Sequence, residues 1–174
     1  MGGVDLHSRP ATVPDIDEAS GSAATVAVET LLLGVHAGRL TYRATRRNLL
    51  DGDHPDGVAR RLAWLTADGP DDGRMLHSTS WRFATGRIVL TYAALPDPRP
   101  AGATVLGPPA PIAAGPDPLS PSPPAVSAAE VVTHACRHLA FLRRTDPVVA
   151  AASRLQPQLW ALLDAYRPAV AGLI

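Results

Sequence analysis

The sequence predicts an α+β fold: a mixed or antiparallel sheet, a short helix after its first hairpin, and C-terminal helices packed on the sheet. Three features lead there. Residues 23–95 hold β-branched, aromatic and aliphatic runs punctuated by glycine, a composition suited to pleated, half-buried strands. Residues 96–126 hold 11 of the chain's 18 prolines, and proline lacks the amide that a helix or central strand needs. Residues 127–174 return to helical spacing and open on a helix-capping phrase.

In chain order, residues 1–22 are polar and broken by Pro10 and Pro14, so an irregular segment is expected. Ala23 to Val35 is almost continuously apolar, with Glu29 its only charge. Thr25, Val26 and Val28 favour a strand, whereas Leu31 to Leu33 alone suit a strand or a helix. His36-Ala37-Gly38 reads as a turn and Arg39 to Tyr42 as the returning strand. Arg43 to Asp53 is expected to be a loop. Asp56 to Leu65 reads as a short helix, with Val58, Leu62 and Leu65 on one side and Arg60 and Arg61 outward. Asp68 to Gly73 is a turn cluster.

Met75 to Leu95 predicts a β-hairpin about Ala84-Thr85-Gly86, in which Gly86 takes the left-handed position without a Cβ penalty. A three-residue connection groups His77, Thr79, Trp81 and Phe83 with Val89, Thr91, Ala93 and Leu95. It groups Leu76, Ser78, Ser80 and Arg82 with Ile88, Leu90, Tyr92 and Ala94. In that register Trp81 is a core anchor first and a ligand contact second, and Arg82 reaches solvent or a pocket mouth. A one-residue slip would exchange every cross-strand partner.

Residues 96–126 read as a flexible, partly polyproline-II linker. Ser127-Ala128-Ala129-Glu130 is a capping box, opening a helix to about Arg144 with Val131, Val132, Ala135, Leu139 and Leu142 as its apolar stripe. Asp146-Pro147 caps and starts a second helix. Pro157 starts a third, stopped by Pro168.

At 174 residues, one domain is the default. Net charge is zero, and all 16 basic residues are Arg. That balance offers no footprint for nucleic acid or an anionic membrane, and the absence of Lys excludes Schiff-base and P-loop lysine chemistry. The high Ala, Pro and Gly content points to a GC-rich bacterial origin. Cys136 is the single cysteine, which excludes an internal disulfide and a cysteine zinc cluster. With no secretory pattern and no apolar stretch of about 20 residues, the expected compartment is the cytoplasm.

Chemistry-bearing residues are few. His134 and His138 share a helix face, but Ala135 stands where a zinc protease has its Glu, so boundary packing is expected and no metal is assigned. Cys136 reads as a buried structural thiol. His77 and Ser78 point to opposite faces of a strand, which spoils a nucleophile–base pair, so no catalytic residue is assigned. A ligand pocket is expected from His77, Ser80, Trp81, Arg82 and Tyr92, with Arg82 as its anion clamp.

Gly52-Asp53-His54-Pro55, followed by Ala59-Arg60-Arg61-Leu62, resembles the opening of a Nudix box, and the order of elements over residues 23–95 is similar to a Nudix domain. With Arg61 at the motif arginine, Asp53 stands at the earlier glutamate. Leu62, Leu65 and Thr66 stand where the family has carboxylates. The resemblance implies a degenerate, non-hydrolytic relative without the Mg²⁺ that those carboxylates hold. The expected function is therefore binding of a small, nucleotide-like molecule or a regulatory role, with no cofactor. The alternatives are a protein-interaction or structural module that uses the C-terminal helices, with a protein partner or homo-oligomer, and an enzyme of unrecognised type with His77 as the first residue to test.

Overall fold

The computed structural model describes residues 25–65, 73–109 and 125–169, together with residues 111, 112, 115, 117, 119 and 123. The expectations for residues 1–22 and for the turn cluster before Gly73 lie outside the described residues. The strands are β1 (Thr25–His36), β2 (Arg39–Asn48), β3 (Met75–Ala84), β4 (Arg87–Leu95) and β5 (Thr104–Val105). The helices are α1 (Pro55–Leu62), α2 (Ala128–Thr145), α3 (Pro147–Ser153) and α4 (Pro157–Leu163). The five strands form one mixed sheet in the order β3-β4-β1-β2-β5. The pair β1–β4 is parallel and the other pairs are antiparallel.

Both Gly-Arg hairpins turn through two residues. Ala37 and Gly38 have φ of 48° and 71°, and Thr85 and Gly86 have 50° and 75°. Two consecutive positive φ values match the right-handed twist of the flanking strands. The expected three-residue connections are thus corrected to two. In β3–β4 this moves Trp81 opposite Leu90, Arg82 opposite Val89 and Phe83 opposite Ile88. A bulge between Ser78 and Ser80 takes up the extra residue, so Ser78 faces Tyr92 and His77 faces Ala93. The expected faces hold below Thr79 and invert above it.

One face of the sheet carries the main core. Leu31, Leu33, Ala93 and Leu95 pack against Val132, Ala135, Leu139, Leu159, Trp160 and Leu163 of α2 and α4. Burying such side chains is worth about 1.5–3 kcal/mol each, which is what anchors the three C-terminal helices. The caps form as the sequence predicts. Ser127 and Glu130 make the reciprocal box, and the Asp146 carboxylate accepts from the amides of Val148 and Val149.

The other face is covered by α1. Val28 and Tyr92 pack on Val58 and Ala59, while Leu32 and Ala94 pack on Ala63. Two stretches differ from expectation. β2 continues to Asn48 instead of ending in a loop at Arg43, because β1 offers it an unbroken antiparallel ladder as far as Ala27. The Pro-rich stretch begins inside the fold: Asp97 and Leu106 are buried, and Thr104–Val105 adds a strand to β2. Asp97 anchors this return. Its amide donates to the Leu33 carbonyl at 2.6 Å, and its carboxylate takes both arms of Arg43. Gly34 permits the approach, since a Cβ there would sit 2.9 Å from that of Asp97. Among the described residues, no helix is long and apolar enough to cross a membrane.

Candidate functional site

An open cleft of about 260 Å³ lies between the first turns of α1 and the β3–β4 pair, lined by Asp56, Arg60, Leu76, His77, Ser78 and Tyr92. The local sequence explains its shape. His54 accepts from the Asp56 amide at 3.3 Å, and Pro55 occupies the first helical turn, so α1 starts with Asp56 facing the sheet. One turn later Arg60 lies on the same side of the helix. Across the bulge, Ser78 and Tyr92 are direct cross-strand neighbours.

The Tyr92 hydroxyl donates to Asp56 Oδ1 at 2.6 Å. Burial pushes the phenol pKa far above its usual value, and the bond to Asp56 and the carboxylate charge push the same way. The phenol therefore stays a donor at neutral pH. The sheet rung continues from Tyr92 to Thr30 and Thr45. Both Thr hydroxyls are buried without a hydrogen-bond partner. The cleft thus presents the Asp56 carboxylate, the Arg60 guanidinium and the hydroxyls of Ser78 and Tyr92, with Thr30 and Thr45 outside its lining.

Of the five residues expected at a pocket, two border this cleft. Tyr92 forms its floor, and His77 contributes to its rim while its imidazole turns to the helical side. The other three do not line it. Trp81 is 69% exposed on the α1-facing side, so it is neither core anchor nor pocket floor. Ser80 lies opposite Thr91 on the helix-facing side. Arg82 is on that side too. It donates to Glu29 Oε2 at 2.7 Å and to Thr91 Oγ1 at 2.8 Å, so its guanidinium is held by a buried carboxylate and is no anion clamp. Arg46 completes this rung, reaching Glu29 Oε1 at 2.6 Å. Sequence reasoning missed Asp56, Arg60 and Ser78. The four-residue spacing of Asp56 and Arg60 was the available signal, but only the packing of α1 shows which way that face turns.

On the helical side, His77 Nε2 lies 3.2 Å from His138 Nε2, with the rings stacked at 5.2 Å between centroids. His138 also stacks on Phe141. Burial lowers the pKa of His77, His134 and His138; the neighbouring histidines lower His138 further, and Asp146 partly opposes the shift at His77. A neutral pair, one nitrogen donating and the other accepting, satisfies this geometry. Among the described residues, no group of three or more His, Cys, Asp or Glu is placed to hold a metal ion. Cys136 is fully buried and its thiol pKa is raised by that burial, which leaves little reactive thiolate.

In the Gly52–Leu65 stretch, Asp53 accepts from the Leu50 amide at 3.1 Å and from Arg61 at 2.8 Å. Leu62 and Leu65 pack against the apolar clusters beneath α1. No protein-family model matches the chain, and no curated protein matches it.

Proposed function

We propose that this protein binds a small polar molecule of nucleotide or sugar-phosphate type in the cleft beneath the start of α1, in a regulatory or sensing role and without hydrolysing it. The observation that carries this reading is the Tyr92–Asp56 hydrogen bond at the cleft floor, with Arg60 beside it. Arg60 suits a phosphate or carboxylate, while Asp56 accepts from sugar hydroxyls. Ser78 and Tyr92 add hydroxyls at fixed positions on a sheet.

A degenerate Nudix-like chain would look this way. Asp53 and Arg61 neutralise each other, and Leu62 and Leu65 bring hydrocarbon where that family brings metal-binding oxygen. The described residues of this stretch thus offer magnesium little oxygen beyond Asp53, which Arg61 already engages, and binding is the activity to test first.

Thermal-shift and calorimetric titration with nucleoside mono- and diphosphates and with sugar phosphates, each with and without Mg²⁺, provides the test. A ligand at 100-fold its Kd adds about 2.7 kcal/mol to stability. The expected result is a magnesium-independent shift that Tyr92→Phe and Arg60→Gln each weaken. Absence of binding at millimolar concentration, or binding that both variants leave unchanged, overturns the reading.

A further inference from the structure

We propose a second binding site, at the opposite end of α1, for a small organic anion that carries an apolar or aromatic body. It is separate from the Tyr92 cleft and independent of the function proposed there.

The helix ends in a doubly bonded closure. The Trp64 amide donates to the Arg61 carbonyl at 3.2 Å and the Leu65 amide to the Arg60 carbonyl at 3.0 Å. This closure requires a left-handed residue just past the helix, a position that usually belongs to glycine. Here Trp64 occupies it, with φ of 54°. For a bulky side chain that conformation is a genuine outlier, one that persists only where its surroundings over-determine it. Glycine would close the helix without strain, whereas Trp64 places an indole at this position.

The indole is 46% exposed. It forms one wall of a cleft of about 210 Å³, with Leu65, Arg74, Pro96, Pro98 and Arg99 among the others. The Arg43 and Arg99 guanidinium carbons lie 5.6 Å and 5.1 Å from the ring centroid. Arg43 is committed to the buried Asp97 carboxylate. Arg99 stacks on the indole with no carboxylate paired to it among the described residues, although its own amide is fixed by Asp97 at 2.8 Å. A planar cation held against an aromatic ring keeps its outward N–H donors available. Hydrocarbon walls from Trp64, Leu65 and two prolines surround those donors. Such a site takes an anionic head at Arg99 and an apolar body against the indole and prolines. A carboxylate and a phosphate monoester offer the same head chemistry.

The probes are benzoate, phenyl phosphate and inorganic phosphate, titrated into the whole chain and read at the Trp64 indole N–H by NMR. Comparison with Trp64→Gly identifies that resonance among the three tryptophans. At least one aromatic anion should bind saturably, and inorganic phosphate should bind about tenfold more weakly or worse. Arg99→Gln should weaken binding by about tenfold or more, the loss of one charge-assisted bond. Trp64→Gly, titrated by calorimetry because it lacks the reporter indole, should stay folded, since glycine suits the closure, and lose binding. Tyr92→Phe should leave this site unchanged. No saturable binding of either aromatic anion, inorganic phosphate binding as tightly, or affinity unaltered in Arg99→Gln overturns the proposal. Arg99 lies on the surface, so its variant gives a readout even if Trp64→Gly fails to fold.

Discussion

Trp160 and Trp81 make the most instructive contrast in the molecule. Trp160, on α4, is 1% exposed and sits in the core between the helices and the sheet. Trp81, on β3, is 69% exposed, and Phe83 beside it on the same face is 67% exposed. Trp160 stands in the apolar run Leu159 to Leu163, and Trp81 stands between Ser80 and Arg82 on a strand that also carries Leu76 and Phe83. The difference is coverage. Three helices close over the helix-facing side, whereas the eight-residue α1 reaches only the middle of the other side. Beyond its reach β3, an outer strand of the sheet, leaves its aromatic residues in solvent. The neighbour of Trp81 shows the reverse: Arg82 turns under the helix-facing side and is held by buried Glu29. At this end of β3 the charge is inside and the aromatic ring is outside.

The largest expected effect is at the covered tryptophan. Trp160→Ala should destabilise the chain by about 3–5 kcal/mol, read as a fall in denaturation midpoint with unchanged m-value. A loss under about 1 kcal/mol would mean that the helices are not held as described.

Next comes the Arg46–Glu29–Arg82 rung. Glu29→Leu removes the shared carboxylate and leaves Arg82, largely sheltered, without its partner. Breaking a buried pair costs about 3–5 kcal/mol, and the exposure of Arg46 reduces that to about 2–3 kcal/mol. Arg82→Met in the Glu29→Leu background should recover part of the loss, because it removes the unpaired charge. A double-mutant cycle without coupling would break the contrast between the two faces.

Smaller again is the pH response of the His77–His138 contact. The folded-state pKa values of His77, His134 and His138 lie below the ordinary 6.5. The folded state therefore binds fewer protons than the unfolded state as the pH falls. The stability that the neutral imidazoles contribute is whole above about pH 6.5 and is lost as pH drops through the folded values. Asp146 faces His77 and moderates the effect, whereas Arg137 near His134 reinforces it. His138→Phe should flatten the midpoint-against-pH curve between about pH 7 and pH 5. An unchanged slope would assign the acid sensitivity elsewhere.

The smallest change should come at the exposed pair. Trp81→Ser and Phe83→Ser should each alter stability by no more than about 0.5 kcal/mol, the range for surface positions. A collapse on Trp81→Ser would show that this face is covered.

Most secondary structure was legible before any contact was known. The capping box at Ser127 and the Asp146 cap are local chemistry, since each satisfies amides within one turn of itself, and Pro157 opens α4 through its fixed φ. The places of the two Gly-Arg hairpins were visible too, because glycine supplies a left-handed turn position locally, but the number of residues in each turn was not. A third of the cleft lining was legible too: Tyr92 and His77 stood out as polar groups on predicted strands. Asp56 and Arg60 did not, because a surface helix shows its polar residues alike until it is docked.

Sequence alone determined that the chain makes an α+β fold with capped C-terminal helices, since periodicity and capping act over a few residues. Tertiary structure decided the register above Thr79, and with it the fates of Trp81 and Arg82. A two-residue turn and a bulge differ from a three-residue turn by one position, and alternation converts one position into the opposite face. It also decided that part of the proline-rich stretch joins the sheet. Asp97 must find Arg43, more than fifty residues earlier, and no local preference encodes that meeting.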